Sequence, residues 1–158
     1  MISNNKFTRF IKKNIILLCI AAVIGLGGWY ILSLPSTPEE DIISRTGIHW
    51  HTELAILING QKQEIPTDIG IGVVHQPIHT HDATGQIHLE FSGLVRKDDI
   101  KLGKFFDIWK KKFNRNQIFD YVNDSEGVIK MFVNRSPNEE FENYIMKDKD
   151  IIEIKYEK

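Results

Sequence analysis

The chain has 158 residues, with 20 Lys and Arg against 21 Asp and Glu and a formal net charge of −1. Its hydrophobic fraction of 42% and its charged fraction of 26% are those of an ordinary globular domain. These values exclude a collagen-like chain, a disulfide-dense miniprotein and a polytopic membrane protein. They do not indicate a reaction. As averages over the chain, they also conceal that its composition changes sharply at Pro35.

The N-terminal segment predicts a membrane anchor. Residues 1–13 contain four basic residues and no acidic one, and residues 14–34 contain no charged residue. A helix over residues 14–34 is about 30 Å long, which matches the hydrocarbon thickness of a bilayer. The basic flank predicts a cytoplasmic N-terminus, with the lipid bilayer as the partner of residues 14–34 and the rest of the chain extracytoplasmic.

Two alternatives for this segment stay open. A cleaved signal peptide has an apolar stretch of about 7–15 residues and a small-x-small cleavage site, which is not obvious between Gly27 and Pro38. A lipoprotein signal would use Cys19, which follows Leu18 rather than a small residue. Both alternatives also place the C-terminal domain outside the cytoplasm.

Residues 35–47 are predicted to be a linker, and residues 48–158 a single domain. From Pro35 onward the chain has 16 Lys and Arg against 21 Asp and Glu, a net charge of −5. No basic groove is expected, which argues against nucleic acid as a partner. Cys19 is the only cysteine, so the domain contains neither a disulfide nor a thiolate metal ligand.

Alternating sequence predicts two hairpins in the first half of the domain. Residues 53–58 and 61–65 flank Asn59-Gly60, a strong signal for a two-residue hairpin turn. Pro66 ends this hairpin, and the Gly- and Ile-rich residues 67–77 are predicted to form a loop or an irregular strand.

The second predicted hairpin joins residues 78–81 to residues 86–91 through a four-residue turn. In this register His79 lies opposite His88, and His81 lies opposite the first residue of the second strand. Directly opposed residues share a face of the sheet, so the three imidazoles are expected together. A slip of one residue would separate His88 from the other two.

Asp98 or Asp99 is predicted to cap a helix that runs to about Phe113. Its apolar residues recur at spacings of three and four and are expected in the core: Leu102, Phe105, Phe106, Trp109 and Phe113. The lysines of its other face are expected in solvent.

Residues 128–134 and 150–156 are predicted to be strands, joined by a polar connection that contains Pro137. The order of strands, one main helix and strands predicts an α+β domain after the N-terminal transmembrane helix.

All six histidines fall within residues 49–88, a window of 40 residues, and the other 118 residues contain none. Four of them form two His-x-His pairs, His49 with His51 and His79 with His81. Because side chains alternate along a strand, each pair lies on one face with about 6.5–7 Å between positions. One member of the first pair is expected to complete a site of three or four imidazoles.

A divalent transition metal, Zn²⁺ or Cu²⁺, is the predicted cofactor, because neutral imidazole suits these ions better than Ca²⁺ or Mg²⁺. The predicted ligands are His49, His51, His79, His81 and His88. An alternative is a metal-dependent hydrolase in which three histidines leave a position open for water. Its general base, or the partner of a ring N–H, would be Glu53, Asp82 or Glu90.

Non-metal interpretations stay open beside these. Histidines on a strand can be ordinary half-buried residues, or a pH-sensitive binding surface that titrates between pH 5 and 8 without any metal. A further alternative is a non-catalytic module whose sheet presents an edge strand to another envelope protein. Asp82 fits a turn as well as it fits a site. His75 has no predicted partner, and Trp50 is expected on the opposite face, in the core.

The His49-Trp50-His51 run, the His79-Thr80-His81-Asp82 run and Ile87-His88-Leu89-Glu90 resemble a group of small prokaryotic proteins. That group has one N-terminal membrane anchor and a His-rich exported domain, and the resemblance implies no established activity.

The C-terminal part resembles ubiquitin-like β-grasp domains, in which a helix crosses a mixed sheet and the last strand follows an Asp-Gly-Asp-type turn. Residues 147–154 stand in that position, with Lys149 in place of the Gly. The chain has no terminal Gly-Gly, so conjugation or sulfur-carrier chemistry is not implied.

Overall fold

The computed structural model describes residues 4–33 and 38–158, with side chains described from residue 14 onward. The described residues form two compact units that divide between residues 33 and 38. The first unit is helix α1, Asn4–Ser33. The predicted end of the membrane span at Leu34 and the first linker residues, 35–37, lie outside the described residues.

Helix α1 contains the apolar stretch found in the sequence. Over Asn14–Ser33 its mean hydropathy is 2.5, and none of this stretch is buried. The leucines and isoleucines of this stretch are exposed. By length and composition, this helix could serve as a membrane anchor or as a signal sequence.

The second unit is a mixed domain of strands and short helices. Its strands, in chain order, are β1 Ile42–Ser44, β2 Gly47–Ile58, β3 Gln61–Lys62, β4 Ile78–His79, β5 Gln86–Ser92, β6 Val95–Arg96, β7 Phe113–Asn114, β8 Gln117–Ile118, β9 Tyr121–Val122, β10 Val128–Val133, β11 Ser136–Asn138 and β12 Ile151–Glu157. Its helices are α2, Leu102–Trp109, and the 3₁₀ turns Glu39–Asp41, Lys97–Ile100 and Phe141–Asn143.

The main sheet has the strand order β11-β10-β12-β2-β5-β4, and β3 pairs with the end of β2. Strands β12 and β2 run parallel, and their neighbours on either side run antiparallel to them. The long strand β2 has two zones: Gly47–Glu53 pairs with β5, and Glu53–Ile58 pairs with β12. The first zone carries the first histidine pair.

The hydrophobic core lies on one face of this sheet. Alternate residues of the two central strands are buried there: Thr52, Leu54, Ile56 and Ile58 of β2, and Ile152, Ile154 and Tyr156 of β12. Leu102, Phe105 and Phe106 of α2 belong to the same core. Buried residues recur at every second position along the strands and at every third or fourth position along the helix, as expected for elements with one buried face.

The first hairpin has the predicted turn. Asn59 and Gly60 have φ angles of 50° and 78°, the left-handed conformation that a two-residue type I′ turn needs at both positions. Its second strand, β3, is shorter than predicted and ends at Lys62.

Helix α2 is shorter at both ends than the predicted helix from residue 98 to residue 113. Asp99 accepts a hydrogen bond from the Arg96 N–H at 2.8 Å, and so begins a 3₁₀ turn rather than the α-helix. Lys110 has a φ of 62° and ends α2 in a left-handed cap. Phe113 is buried as expected, but from strand β7.

The folded domain begins earlier than predicted. Residues of the predicted linker form β1, which pairs with β6, and the compact unit starts at Pro38. Strands β10 and β12 lie within one residue of their predicted bounds. Together with α1 and α2, they give the mixed α/β organisation that the sequence predicts.

A buried carboxylate ties the last strand to the rest of the sheet. Asp150, 4% exposed, accepts hydrogen bonds from the Tyr144 hydroxyl at 2.6 Å, the Lys147 N–H at 2.9 Å and the Asn134 amide at 2.9 Å. Burial and this carboxylate together raise the pKa of Tyr144, so the phenol stays a donor.

Replacing Asp150 by Ala leaves buried donors without an acceptor, and we expect the free energy of unfolding to fall by roughly 2–4 kcal/mol. Tyr144→Phe removes one donor only and should cost roughly 1 kcal/mol. Urea unfolding of the full chain in a mild detergent, followed by near-UV circular dichroism, measures both. An unchanged midpoint for Asp150→Ala would show that this carboxylate does not hold the strand.

Candidate metal centre

Five histidines lie together on the sheet face opposite the core, and we call them the imidazole layer: His49, His51, His79, His81 and His88. The layer is built on one row of paired residues across three neighbouring strands. His51 of β2 pairs with His88 of β5, and His88 pairs with His79 of β4. The predicted opposition of His79 and His88 is therefore confirmed.

Alternation along the strands explains why these residues leave the core. Ile87 and Leu89 flank His88 and are completely buried. Trp50, between the first two histidines, packs against the core as predicted. The imidazoles share one face because their neighbours fill the other.

His81 reaches the layer in a way that the sequence does not predict. The expected strand over residues 78–81 ends at His79, so His81 is not paired in the sheet. Thr80 is buried and bonds elsewhere: its N–H donates to Ile69 O at 3.0 Å, and its hydroxyl donates to Pro66 O at 2.9 Å. These bonds replace further pairing with β5.

The members of the layer are close enough to share ions. His79, His81, His88 and Glu90 each offer a ligand atom, and these four atoms lie within 4.8 Å of one another. His49, His51 and His88 form a second such group. The structure thus brings together all five predicted ligands and adds Glu90 to them.

His79 has a defined tautomer. Its Nδ1 lies 3.0 Å from the backbone oxygen of Gln76, and since a carbonyl oxygen only accepts, Nδ1 carries the proton. In the neutral ring the lone pair is then on Nε2. Metal-binding histidines typically have their other ring N–H held by such an acceptor.

The Nε2 atoms of His79 and His81 lie 3.1 Å apart. Two nitrogens bound to one tetrahedral ion at 2.0–2.1 Å are about 3.3 Å apart, so the observed spacing suits a pair of ligands. Without an ion, the His81 Nε2–H donates to the His79 lone pair. Binding an ion therefore requires His81 to shift or lose that proton.

His88, at the centre of the row, has a buried nitrogen without a partner. Among the described residues none forms a hydrogen bond with its Nδ1, and Glu90 Oε1 is 3.6 Å away. A buried polar atom left unpaired costs about 1–3 kcal/mol. Burial, followed by the neighbouring imidazoles, lowers the pKa of His88, so this ring favours its neutral, ion-binding form.

Of the candidate carboxylates Glu53, Asp82 and Glu90, only Glu90 contacts the imidazole layer. It pairs with His49 across β2 and β5, and its Oε1 is 3.3 Å from His49 Nε2. Asp82 instead accepts hydrogen bonds from the backbone and hydroxyl of Thr84, which makes it a turn residue and lowers its pKa. Glu53 is exposed and belongs to neither ligand group.

His75 stays outside both ligand groups, although its ring centroid is 6.1 Å from that of His79. It lines a cavity of about 270 Å³ beside His79 and Glu90. Pockets for small-molecule ligands usually measure about 300–1,000 Å³, so this cavity is small.

Comparison of the chain with protein-family models, curated proteins and solved structures finds no match. The resemblance to His-rich exported proteins therefore stays a prediction. The chemistry of the imidazole layer alone supports a functional conclusion.

The lowered pKa of His88 predicts how the ion-free protein responds to acid. The unfolded chain takes up a proton on this ring near the usual pH of about 6.5, and the folded chain does so only at lower pH. Protonation of His88 therefore leaves the free energy of unfolding unchanged above about pH 6.5 and lowers it as the pH falls below that value. Urea unfolding of the chelator-treated chain between pH 5 and 8 measures this decrease.

His88→Gln should reduce this acid sensitivity, and His75→Gln, outside the row, should leave it unchanged. Equal pH dependence in wild type and His88→Gln would contradict the assignment.

Proposed function

We propose that the protein is a membrane-anchored, extracytoplasmic metal-binding protein that handles, stores or delivers zinc or copper. One observation carries the proposal: His79, His81, His88 and Glu90 place four ligand atoms within 4.8 Å of one another. The orphaned Nδ1 of His88 and the bond that fixes the tautomer of His79 support it.

The ligand types favour a borderline transition metal. Imidazole nitrogen with one carboxylate suits Zn²⁺ and Cu²⁺, whereas Ca²⁺ and Mg²⁺ take oxygen ligands. Because the chain has no cysteine after residue 19, the domain offers no thiolate ligand to a metal ion.

Location outside the cytoplasm is supported by the first 34 residues. The apolar stretch of α1 follows four basic residues, and a basic flank is retained on the cytoplasmic side. The domain that follows has a net charge of −5, which favours a cation as ligand over a polyanion.

A second candidate function is metal-assisted hydrolysis. The small cavity beside His79 and Glu90 favours it, because an ion there would face space for water. Its volume of about 270 Å³ leaves little room for a substrate, so metal handling stays our first proposal. A purely protein-binding module gains no support, since the five imidazoles share one face.

We also propose that the domain is a divergent β-grasp domain of the His-rich exported group. The mixed sheet supports this, as does the position of β12 after the turn at residues 147–150. The proposal concerns the fold and adds no activity.

The metal proposal predicts that the full chain, stripped with chelator and purified without a His-rich tag, binds Zn²⁺ or Cu²⁺ with a low, defined stoichiometry. His79→Ala combined with His81→Ala should weaken the tightest binding step at least about tenfold, because it removes two ligands. Titration calorimetry measures both. His75→Ala is the matched control, since His75 belongs to neither ligand group.

Uptake of neither metal by the folded chain would overturn this proposal. Equal affinity of the wild type and the double variant would show that the ion does not bind at His79 and His81.

The location proposal predicts where a cysteine in the domain is accessible. In a Cys19→Ser background, Glu126→Cys, on an exposed turn, should react with a membrane-impermeant maleimide in intact cells. Labelling only after permeabilisation would contradict an extracytoplasmic domain. The intact mass of the purified chain separates a retained anchor from a cleaved signal peptide.

A further inference from the structure

The imidazole layer holds more ligands than one ion needs. Imidazole sites for zinc have four ligand positions, and His79, His81, His88 and Glu90 supply four. His49 and His51 remain outside that set. They belong to the second group, and only His88 is common to the two groups.

The rings of His49 and His51 converge in the same way as those of His79 and His81. Alternate positions on a strand are about 6.5–7 Å apart, but the ring centroids of His49 and His51 are 4.9 Å apart. Those of His79 and His81 are 4.7 Å apart. Both rings of each pair thus lean toward a common point.

The ring of His88 lies between the two pairs and is equally close to one member of each. Its ring centroid is 4.6 Å from that of His51 and 4.6 Å from that of His81. Both contacts are edge-on, with interplanar angles of 85° and 79°.

Glu90 occupies a similar intermediate position. Its Oε1 lies 3.3 Å from His49 Nε2 and 3.6 Å from His88 Nδ1, and it offers a ligand atom to the group of His79 and His81. The two oxygens of a carboxylate can bind two ions. A carboxylate at this point also offsets the repulsion between two cations.

We propose, building on the metal-binding function above, that the imidazole layer binds two divalent transition-metal ions side by side. His79 and His81 hold the first ion, His49 and His51 hold the second, and His88 and Glu90 lie between them. The first ion binds more tightly, because its group includes the buried His79 and the carboxylate. The second binds more weakly against the charge of the first.

The experiment is a Zn²⁺ titration of the chelator-stripped full chain in detergent, by calorimetry, with Cu²⁺ titration followed by electron paramagnetic resonance. We expect two ions per chain in two steps. In the copper experiment, the second equivalent should broaden or remove the signal of the first, because neighbouring spins couple.

Three variants test the assignment. His49→Ala with His51→Ala should reduce the stoichiometry from two to one and leave the first step within about threefold of wild type. Glu90→Gln should weaken both steps, the first because it removes a carboxylate ligand of that group and the second because it removes the charge that offsets the repulsion between the ions. His75→Ala should retain both steps, as the matched control.

A stoichiometry of one in the wild type overturns the two-ion proposal and leaves metal binding intact, whether or not the His49 and His51 variant weakens that step. Two ions that persist in this variant also overturn it, because the second ion is then elsewhere. Uptake of no metal overturns the proposed function itself.

Discussion

The register of β5 between β2 and β4 is the constraint on which the core and the imidazole layer both depend. Pairing of His88 with His51 and His79 puts Ile87 and Leu89 into the core. A slip of one residue would expose these two side chains and bury the histidine among apolar groups. Burial of the hydrophobic residues therefore fixes the register that brings His51, His79 and His88 together.

The same register brings several imidazole nitrogens close together, in an arrangement that could hold a metal ion. Burial, followed by the neighbouring His51, His81 and His79, lowers the pKa of His88. Neutral rings offer lone pairs, and lone pairs facing one another need a proton or a cation between them. The His81 Nε2–H donates to His79 Nε2, whereas the Nδ1 of His88 has no hydrogen-bond partner among the described residues.

Local sequence patterns predict the parts of the site that local pairing builds. Alternation and turn length gave the opposition of His79 and His88 and the inward position of Trp50. The position of His81 depends on bonds from Thr80 to Pro66 and Ile69, across more than ten residues, and alternation contains no information on these. Glu90 follows His88 by two positions, so alternation places it on the face of the imidazoles, but its place opposite His49 depends on the pairing of β2 with β5.

Outside the site, the misjudged elements are those decided by single backbone conformations or by very short pairings. The apolar spacing of residues 102–113 continues past the end of α2, so periodicity alone does not reveal the left-handed Lys110. Strands β7, β8 and β9 have two residues each, too few for a period of two to be recognised. Strand β12 and residues 53–58 of β2 were predictable because each buries three alternate side chains, whereas β2 begins at Gly47, earlier than the predicted start at residue 53.

The two histidine pairs differ in how the fold supports them, and this difference bears on metal exchange. His51 is held from both sides, because besides its pairing with β5 its N–H donates to Asp148 and its carbonyl accepts from the Lys149 N–H. The other pair lies at the sheet edge, where β4 pairs over two residues and His81 follows the strand. Under the two-ion proposal, an ion at the edge would therefore contribute more to ordering its own ligands, and part of its binding energy would stabilise the fold. At the pair on β2, the backbone of His51 is held before an ion binds, and the side chain of His49 is exposed to solvent. Under the two-ion proposal, we therefore expect the ion at this pair to exchange faster than the ion beside the buried His79.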